Sequence, residues 1–213
     1  MKRKSFFVGL CMLVLFVVWT LLVSFVDLRA IGPQGSTVGF GALNYFIHNL
    51  TGVSMTLYTV TDWLGLVPIV TALSFAILGL VQLIKRKSLL RVDYSILALG
   101  VFYIAVIVIY ALFEIVVINY RPILIDGALE SSYPSSTTIL VMTIMPTAMM
   151  QLKCRIKNLI FKRILFVVAC IFTAFMVIGR LLSGVHWVSD IIGGLILSIG
   201  LVLMYYSLSR IKC

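Results

Sequence analysis

The chain has 213 residues, 62% hydrophobic and 11% charged, with a mean hydropathy of +1.17 and a net charge of +10. Soluble domains run near half apolar and a quarter charged. The composition therefore excludes a water-soluble globule and a disordered chain, and it argues against nucleic acid as the partner for the basic excess. At about 20 apolar residues per crossing, the length accommodates roughly six transmembrane helices with short loops. The predicted class is all-α, a polytopic membrane protein with one integral domain over 1–213. Cys11, Cys154, Cys170 and Cys213 are scattered without a CxxC pair or zinc-ligand spacing, so neither metal nor cofactor is expected.

The first predicted span, 6–26, follows Met1-Lys2-Arg3-Lys4. It is longer than the roughly 7–15 residues of a signal-peptide core and ends in Asp27-Leu28-Arg29, which reads as a retained helix. Residues 27–61 form the longest piece outside the spans. Within it, 38–50 mixes apolar, aromatic and small polar residues, as in a helix lying in the membrane interface or a re-entrant cover over a site. Further spans are predicted at 64–84, 94–118, 135–152, 164–179 and 191–208. The fourth, carrying Pro146, is the weakest. Trp19, Trp63 and Trp187 fall near span ends or in the outer loops, where indole rings anchor at the interface. Met142, Met145, Met149 and Met150 read as packing or lipid-facing residues, and Gly193-Gly194 as a place of close helix approach.

Six crossings put both termini on one side. Lys2, Arg3 and Lys4, the loop residues Lys85, Arg86, Lys87 and Arg91, the loop residues Lys153, Arg155, Lys157, Lys162 and Arg163, and the terminal Arg210 and Lys212 all share that side. These fourteen of the 17 basic residues make it cytoplasmic by the positive-inside rule. The short, basic, loop-poor build points to a bacterial plasma membrane. The basic charge is thus mainly topological. The other face keeps Arg29, Arg121 and Arg180, together with most of the acids. Arginine presents a planar fork suited to phosphate or carboxylate, where lysine is a compact point charge.

Three stretches reach this outer level: Glu114 to Arg121-Pro122 closing the third span, Tyr133-Pro134-Ser135-Ser136-Thr137 opening the fourth, and Gly179-Arg180 to His186-Trp187 and Asp190 joining the last two. Ionisable groups at membrane depth cost roughly 2.5–3.5 kcal/mol each on insertion scales and mark functional sites by default. His186 and Asp190 are four residues apart, so on a helix they share a face and can hydrogen-bond. A carboxylate on one ring nitrogen leaves the other free as nucleophile or base. Two arginines, a helix start and an oriented histidine describe a phosphate pocket with a nucleophile.

Arg-x5-His-x3-Asp in Arg180, His186 and Asp190, preceded by Arg121-Pro122 and Pro134-Ser135, resembles the type 2 phosphatidic acid phosphatase (PAP2) superfamily. Its pattern runs Lys-x6-Arg-Pro, Pro-Ser-Gly-His, then Ser-Arg-x5-His-x3-Asp, and the similarity extends from about the second span to the C-terminus. The resemblance implies a metal-independent lipid phosphatase working through a phosphohistidine. His186 is then the nucleophile, Asp190 its orienting partner, Arg121 and Arg180 phosphate ligands, and Ser135 and Ser136 part of the phosphate-binding turn.

Three positions depart from that pattern. Glu114 stands in place of the family Lys, seven residues before Arg121 on the same predicted helical stripe. Thr137 replaces the second His, which protonates the leaving group, and Gly179 replaces the Ser before the second Arg. Three readings reconcile this. A diphosphate leaving group needs no acid, which makes a polyprenyl pyrophosphate a fitting substrate. Glu114 or His48 can supply the missing proton, although an ion pair of Glu114 with Arg121 or Arg180 is the plainer expectation. Alternatively the protein binds or transports lipid phosphates without hydrolysis. A headgroup or phosphoryl transferase on the same fold is a further variant. Retention of the nucleophile, its partner and both arginines favours the enzyme.

Overall fold

The computed structural model describes residues 2–209; Met1 and residues 210–213, with Arg210, Lys212 and Cys213, lie outside the described residues. Among these residues there are eight α-helices and no strands: α1 Lys2–Phe25, α2 Gly41–Thr51, α3 Met55–Leu64, α4 Leu66–Arg86, α5 Tyr94–Ile115, α6 Ser136–Arg155, α7 Leu159–Leu182 and α8 Val188–Leu208. The expected cover segment is thus the short helix α2. Its flank forms α3, which Ser54 caps by accepting from the Leu57 N–H at 3.4 Å. α3 abuts α4 at Gly65, and the two make one apolar run of 32 residues. The second span therefore begins well before residue 64, and Asp62, expected in a loop, lies on a helix.

Five runs among the described residues are long and apolar enough to cross a membrane: α1, α3 with α4, α5, α7 and α8. The expected sixth, α6, has the length, 20 residues or about 30 Å, but not the hydropathy. The reason is its position. α4, α5, α7 and α8 all pack against it, so it meets protein where α5 and α7 present Val101 and Ile171 outward. Its polar groups are satisfied internally. Thr143 and Thr147 donate to the carbonyls one turn back, each at 2.7 Å. Buried Gln151 ties α6 to its neighbours, donating to Tyr205 Oη at 2.5 Å and to the Ser95 carbonyl at 3.0 Å.

α1 lies along α8. Between apolar helices in lipid there is little hydrophobic drive, and close van der Waals approach takes its place. Gly9 and Gly200 provide it: a Cβ at Gly200 would stand 2.8 Å from Leu13 Cδ2, and one at Gly9 would stand 3.1 Å from Leu203 Cβ. Gly193 plays the same part for a loop, with the Tyr133 ring where its Cβ would be. At one end of the bundle Lys2 Nζ donates to the Ser209 carbonyl at 2.5 Å. At the other, α2 docks on α8 through buried Asn44, whose amide donates to Ser189 Oγ at 2.9 Å.

Candidate active site

α5 stops at Ile115, so Asn119 to Pro122 are not helical, and the helical stripe expected to hold both Glu114 and Arg121 does not form. The chain instead doubles back. Arg121 N–H donates to the Glu130 carbonyl at 3.1 Å and Ser132 N–H to the Asn119 carbonyl at 2.9 Å, around a tight turn at Ile125–Ala128. This excursion carries Ser131 and Ser132 under the loop between α7 and α8. There Gly184, at φ +68°, passes so close to the Gly52 carbonyl that no side chain fits.

His186 sits in that loop, 3% exposed. Its Nδ1 lies 3.1 Å from the Ser132 carbonyl oxygen and 3.0 Å from Ser132 Oγ. A carbonyl only accepts, so Nδ1 carries the proton and Nε2 keeps its lone pair. Nε2 is buried and without a partner. Burial, and then the charges of Arg121 and Arg180, hold the imidazole well below its usual pKa. The ring is therefore a neutral base with one nitrogen free.

The direct hydrogen bond expected between His186 and Asp190 is not among those formed by the described residues. α8 begins at Val188, so the two residues are not one helical turn apart. Ser132 bridges them, its hydroxyl donating to Asp190 Oδ2 at 2.6 Å while facing His186 Nδ1. Asp190 is fully buried and also accepts from Trp187 N at 2.9 Å, Asn119 Nδ2 at 3.3 Å and Ser189 Oγ at 3.3 Å. As the third residue of α8 reaching back to the backbone before it, Asp190 also caps the helix.

Arg180, near the end of α7, is almost wholly buried. Its Nε donates to Thr137 Oγ1 at 3.0 Å, its Nη2 pairs with Asp62 at 2.8 Å, and its guanidinium lies 4.9 Å from the Tyr58 ring centre. Nη1 has no partner. Arg121 Nε lies 3.1 Å from Glu130 Oε2, an ion pair without hydrogen-bonding geometry, and its Nη1 is buried and without a hydrogen bond. The carboxylate partners of the arginines are thus Asp62 and Glu130. Glu114, expected to pair with one of them, instead accepts from Ser131 Oγ at 2.6 Å.

A narrow cleft opens beside His186, lined by Tyr110, Glu114, Ser131, Ser132 and Ser136 among others, and neither arginine is on its wall. Ser136, at the start of α6, is on its wall. Ser135 is fully buried, and its hydroxyl is taken by Thr138 at 3.1 Å. His48, on α2, packs its ring 5.4 Å from that of Trp187, and burial lowers its pKa. It does not line the cleft. Trp187, expected at the interface, is buried and donates to the Tyr120 carbonyl at 2.7 Å. Trp19 donates to the Ser189 carbonyl, and Trp63 is exposed.

Ser132, Asn119, Asp62, Glu130 and Tyr58 are the site neighbours that sequence reasoning missed. Asp62 and Glu130 were legible only as acids of the right face. Nothing in the spacing of Ser132 or Asn119 marks either. Among the described residues no cluster of three or more His, Cys, Asp or Glu is placed to hold a metal.

The fold and the site together define an integral membrane helical bundle with a buried histidine and two arginines gathered at one end. The chain belongs to the PAP2 superfamily, whose sequence profile matches residues 69–212. It shares its fold with the first transmembrane PAP2 type phosphatidylglycerolphosphate phosphatase from Bacillus subtilis. The TM-score is 0.60 at 18% identity, over 96% of this chain and 98% of that one. No curated protein matches it by sequence.

Proposed function

We propose that the protein is a lipid phosphatase that hydrolyses a lipid diphosphate, of the polyprenyl pyrophosphate kind, through a phosphohistidine. The observation that carries this is the set of buried polar atoms left without a hydrogen bond near His186: its own Nε2, Arg180 Nη1 and Arg121 Nη1, the two arginines lying close enough for their charges to act on the imidazole. Buried polar groups without partners are rare, and guanidinium donors near an imidazole lone pair are what a phosphoryl group would satisfy.

In this reading the Nε2 lone pair attacks the terminal phosphorus. The bond to the bridging oxygen breaks, and its electron pair leaves with the lipid phosphate. The imidazole takes up positive charge, and its Nδ1–H is held by the Ser132 carbonyl and hydroxyl, with Asp190 behind. Arg121, Arg180 and the start of α6 stabilise the equatorial oxygens, the electrostatic share of such catalysis. Water then attacks the phosphorus, the N–P bond breaks, and inorganic phosphate and neutral His186 result, the water proton leaving with the phosphate or solvent.

Thr137 bears on the choice of substrate. Its hydroxyl oxygen is occupied by Arg180 Nε, so it is committed to positioning the arginine. An alkoxide leaving group lacks an acid here, whereas a phosphate leaving a diphosphate requires none. The proposal also takes α6 as a sixth crossing shielded by its neighbours, the basic end as cytoplasmic and the cleft as facing outward. The charge distribution supports this orientation.

Phosphate release from matched lipid mono- and diphosphates by the purified protein tests the reading, with His186→Ala as control. Faster release from the diphosphate, abolished in the variant, is expected. Equal rates in the two proteins would leave a lipid-phosphate binder, whose arginines are held by Asp62 and Glu130.

A further inference from the structure

A second, much roomier hollow lies elsewhere. A groove of about 990 Å³ runs between α6 and α7, at the upper end of the 300–1,000 Å³ typical of ligand pockets. The middle of its α7 wall carries small side chains, Ala169, Cys170, Thr173 and Ala174, between Phe166 and Val167 on one side and Val177 and Ile178 on the other, which leaves a hollow. The facing wall carries Met142, Met145 and Met149 around Pro146. Methionine is unbranched and flexible, and it moulds to irregular apolar partners.

The groove's composition changes at one end only. Along most of its length it is apolar, and at the basic end of the bundle it is lined by Lys153, Lys162 and Arg163. The ion pairs formed by the described residues are Arg29–Asp27, Arg86–Asp93, Arg121–Glu130 and Arg180–Asp62, so none involves these three cations. The acid of this end, Asp93, is taken by Arg86 at 2.9 Å and by Gln82. From Lys162 to Ile178 the α7 wall extends about 24 Å at 1.5 Å per residue. That exceeds the roughly 15 Å half-thickness of a hydrocarbon core. An acyl chain therefore fits lengthwise with its headgroup at the cations.

We propose that this groove holds an anionic phospholipid of the leaflet at the basic end, its phosphate on Lys153, Lys162 and Arg163 and its acyl chains between α6 and α7. Basic pockets between transmembrane helices recognise anionic headgroups through this pairing of charge and hollow. The site is separate from the histidine cleft. It stands or falls independently of the catalytic reading.

Native mass spectrometry of the full chain in detergent, titrated with phosphatidylglycerol or phosphatidylcholine, tests it. Phosphatidylglycerol binds more tightly. A combined Lys153→Gln, Lys162→Gln, Arg163→Gln variant loses about 100-fold in its affinity, near fivefold per cation. The equally charged change at the same end, Lys85→Gln, Lys87→Gln, Arg91→Gln, leaves it within about twofold. Ala174→Phe, which fills the hollow, abolishes binding with the cations intact. His186→Ala binds as the parent does, so loss of catalysis and loss of lipid binding are read separately. Equal losses in the two charge variants overturn the proposal in favour of diffuse surface attraction. Equal binding of the two lipids overturns it as well. So does an Ala174→Phe protein that retains phosphatidylglycerol but shows a raised KM for lipid phosphate, which would make the groove a tail channel for substrate. Should Ala174→Phe fail to fold, the two charge variants, which change exposed or half-buried side chains, decide the matter alone.

Discussion

The two ends of the bundle carry cations in opposite ways. At the cleft end, Arg180 is 3% exposed and spends two of its nitrogens on Thr137 and Asp62, while Arg121 lies against Glu130. At the other end, Lys153 and Arg163 are exposed and unpaired among the described residues, and Arg86 with Asp93 forms an open surface pair. Taking a guanidinium out of water costs several kcal/mol unless partners repay it; a lysine at a membrane boundary stays hydrated and costs little. Buried Arg180 keeps an unsatisfied N–H after its partners are counted, which is the group that the proposed function assigns to a phosphoryl oxygen. The exposed ones need no such explanation.

The contrast breaks if the two ends respond alike to substitution. Arg180→Ala removes a preorganised donor from a water-poor site and is expected to lower diphosphate turnover about 10²–10³-fold. Lys87→Gln at the basic end should leave the same phosphate-release assay unchanged. Next in size is a gain. Thr137→His restores a group able to protonate an alkoxide, and it should raise the monoester-to-diphosphate rate ratio by about 10² if the acid is positioned. An unchanged ratio would mean that leaving-group protonation is not what separates this chain from its family.

Ser132→Ala tests the bridge between His186 and Asp190. Partners that set an imidazole's tautomer typically contribute about 10–100-fold, and the loss is expected at the lower end and in kcat, since the Ser132 carbonyl still holds Nδ1. A raised KM with normal kcat would assign Ser132 to substrate binding instead.

The smallest effect is on pH. His186 is held well below its ordinary value of 6.5, so the imidazole stays neutral as pH falls through 6.5, and with the proposed nucleophile the acid limb of kcat/KM is expected below it. Arg121→Ala removes one of the charges that depress it and moves that limb upward. For stability the sign is also defined. Below about 6.5 the unfolded chain takes up a proton on this histidine that the folded chain does not. The His186 contribution is thus present above 6.5 and is lost as pH falls from there toward the folded pKa. A pH series of thermal unfolding measures it.

How much of this was readable in the chain varies residue by residue. The long apolar runs of α1, α5, α7 and α8 were plain, because a helix facing lipid has one requirement, hydrophobicity, and composition reports it directly. α6 was faint for the converse reason: buried among four helices, it is free to carry threonines and Gln151. His186, Arg121 and Arg180 stood out as ionisable residues at membrane depth, and the family pattern supplied their roles. Ser132 and Asn119 did not, because their place depends on a chain reversal between α5 and α6 held by backbone hydrogen bonds that no side-chain spacing encodes. Asp62 was hidden by the boundary of a span, since Ser54 starts a helix where loop composition had been read.

By itself the sequence determined the class of the protein, the inventory of cations and how they are distributed along the chain. Those properties follow from hydropathy and charge summed along the chain. Only the tertiary structure decided the wiring: that Asp190 reaches His186 through Ser132, that Thr137 holds Arg180, that Glu114 turns to Ser131 and leaves the arginines to Asp62 and Glu130. Hydrogen bonds act over about 3 Å, and which groups come within that reach depends on where helices stop and loops fold back.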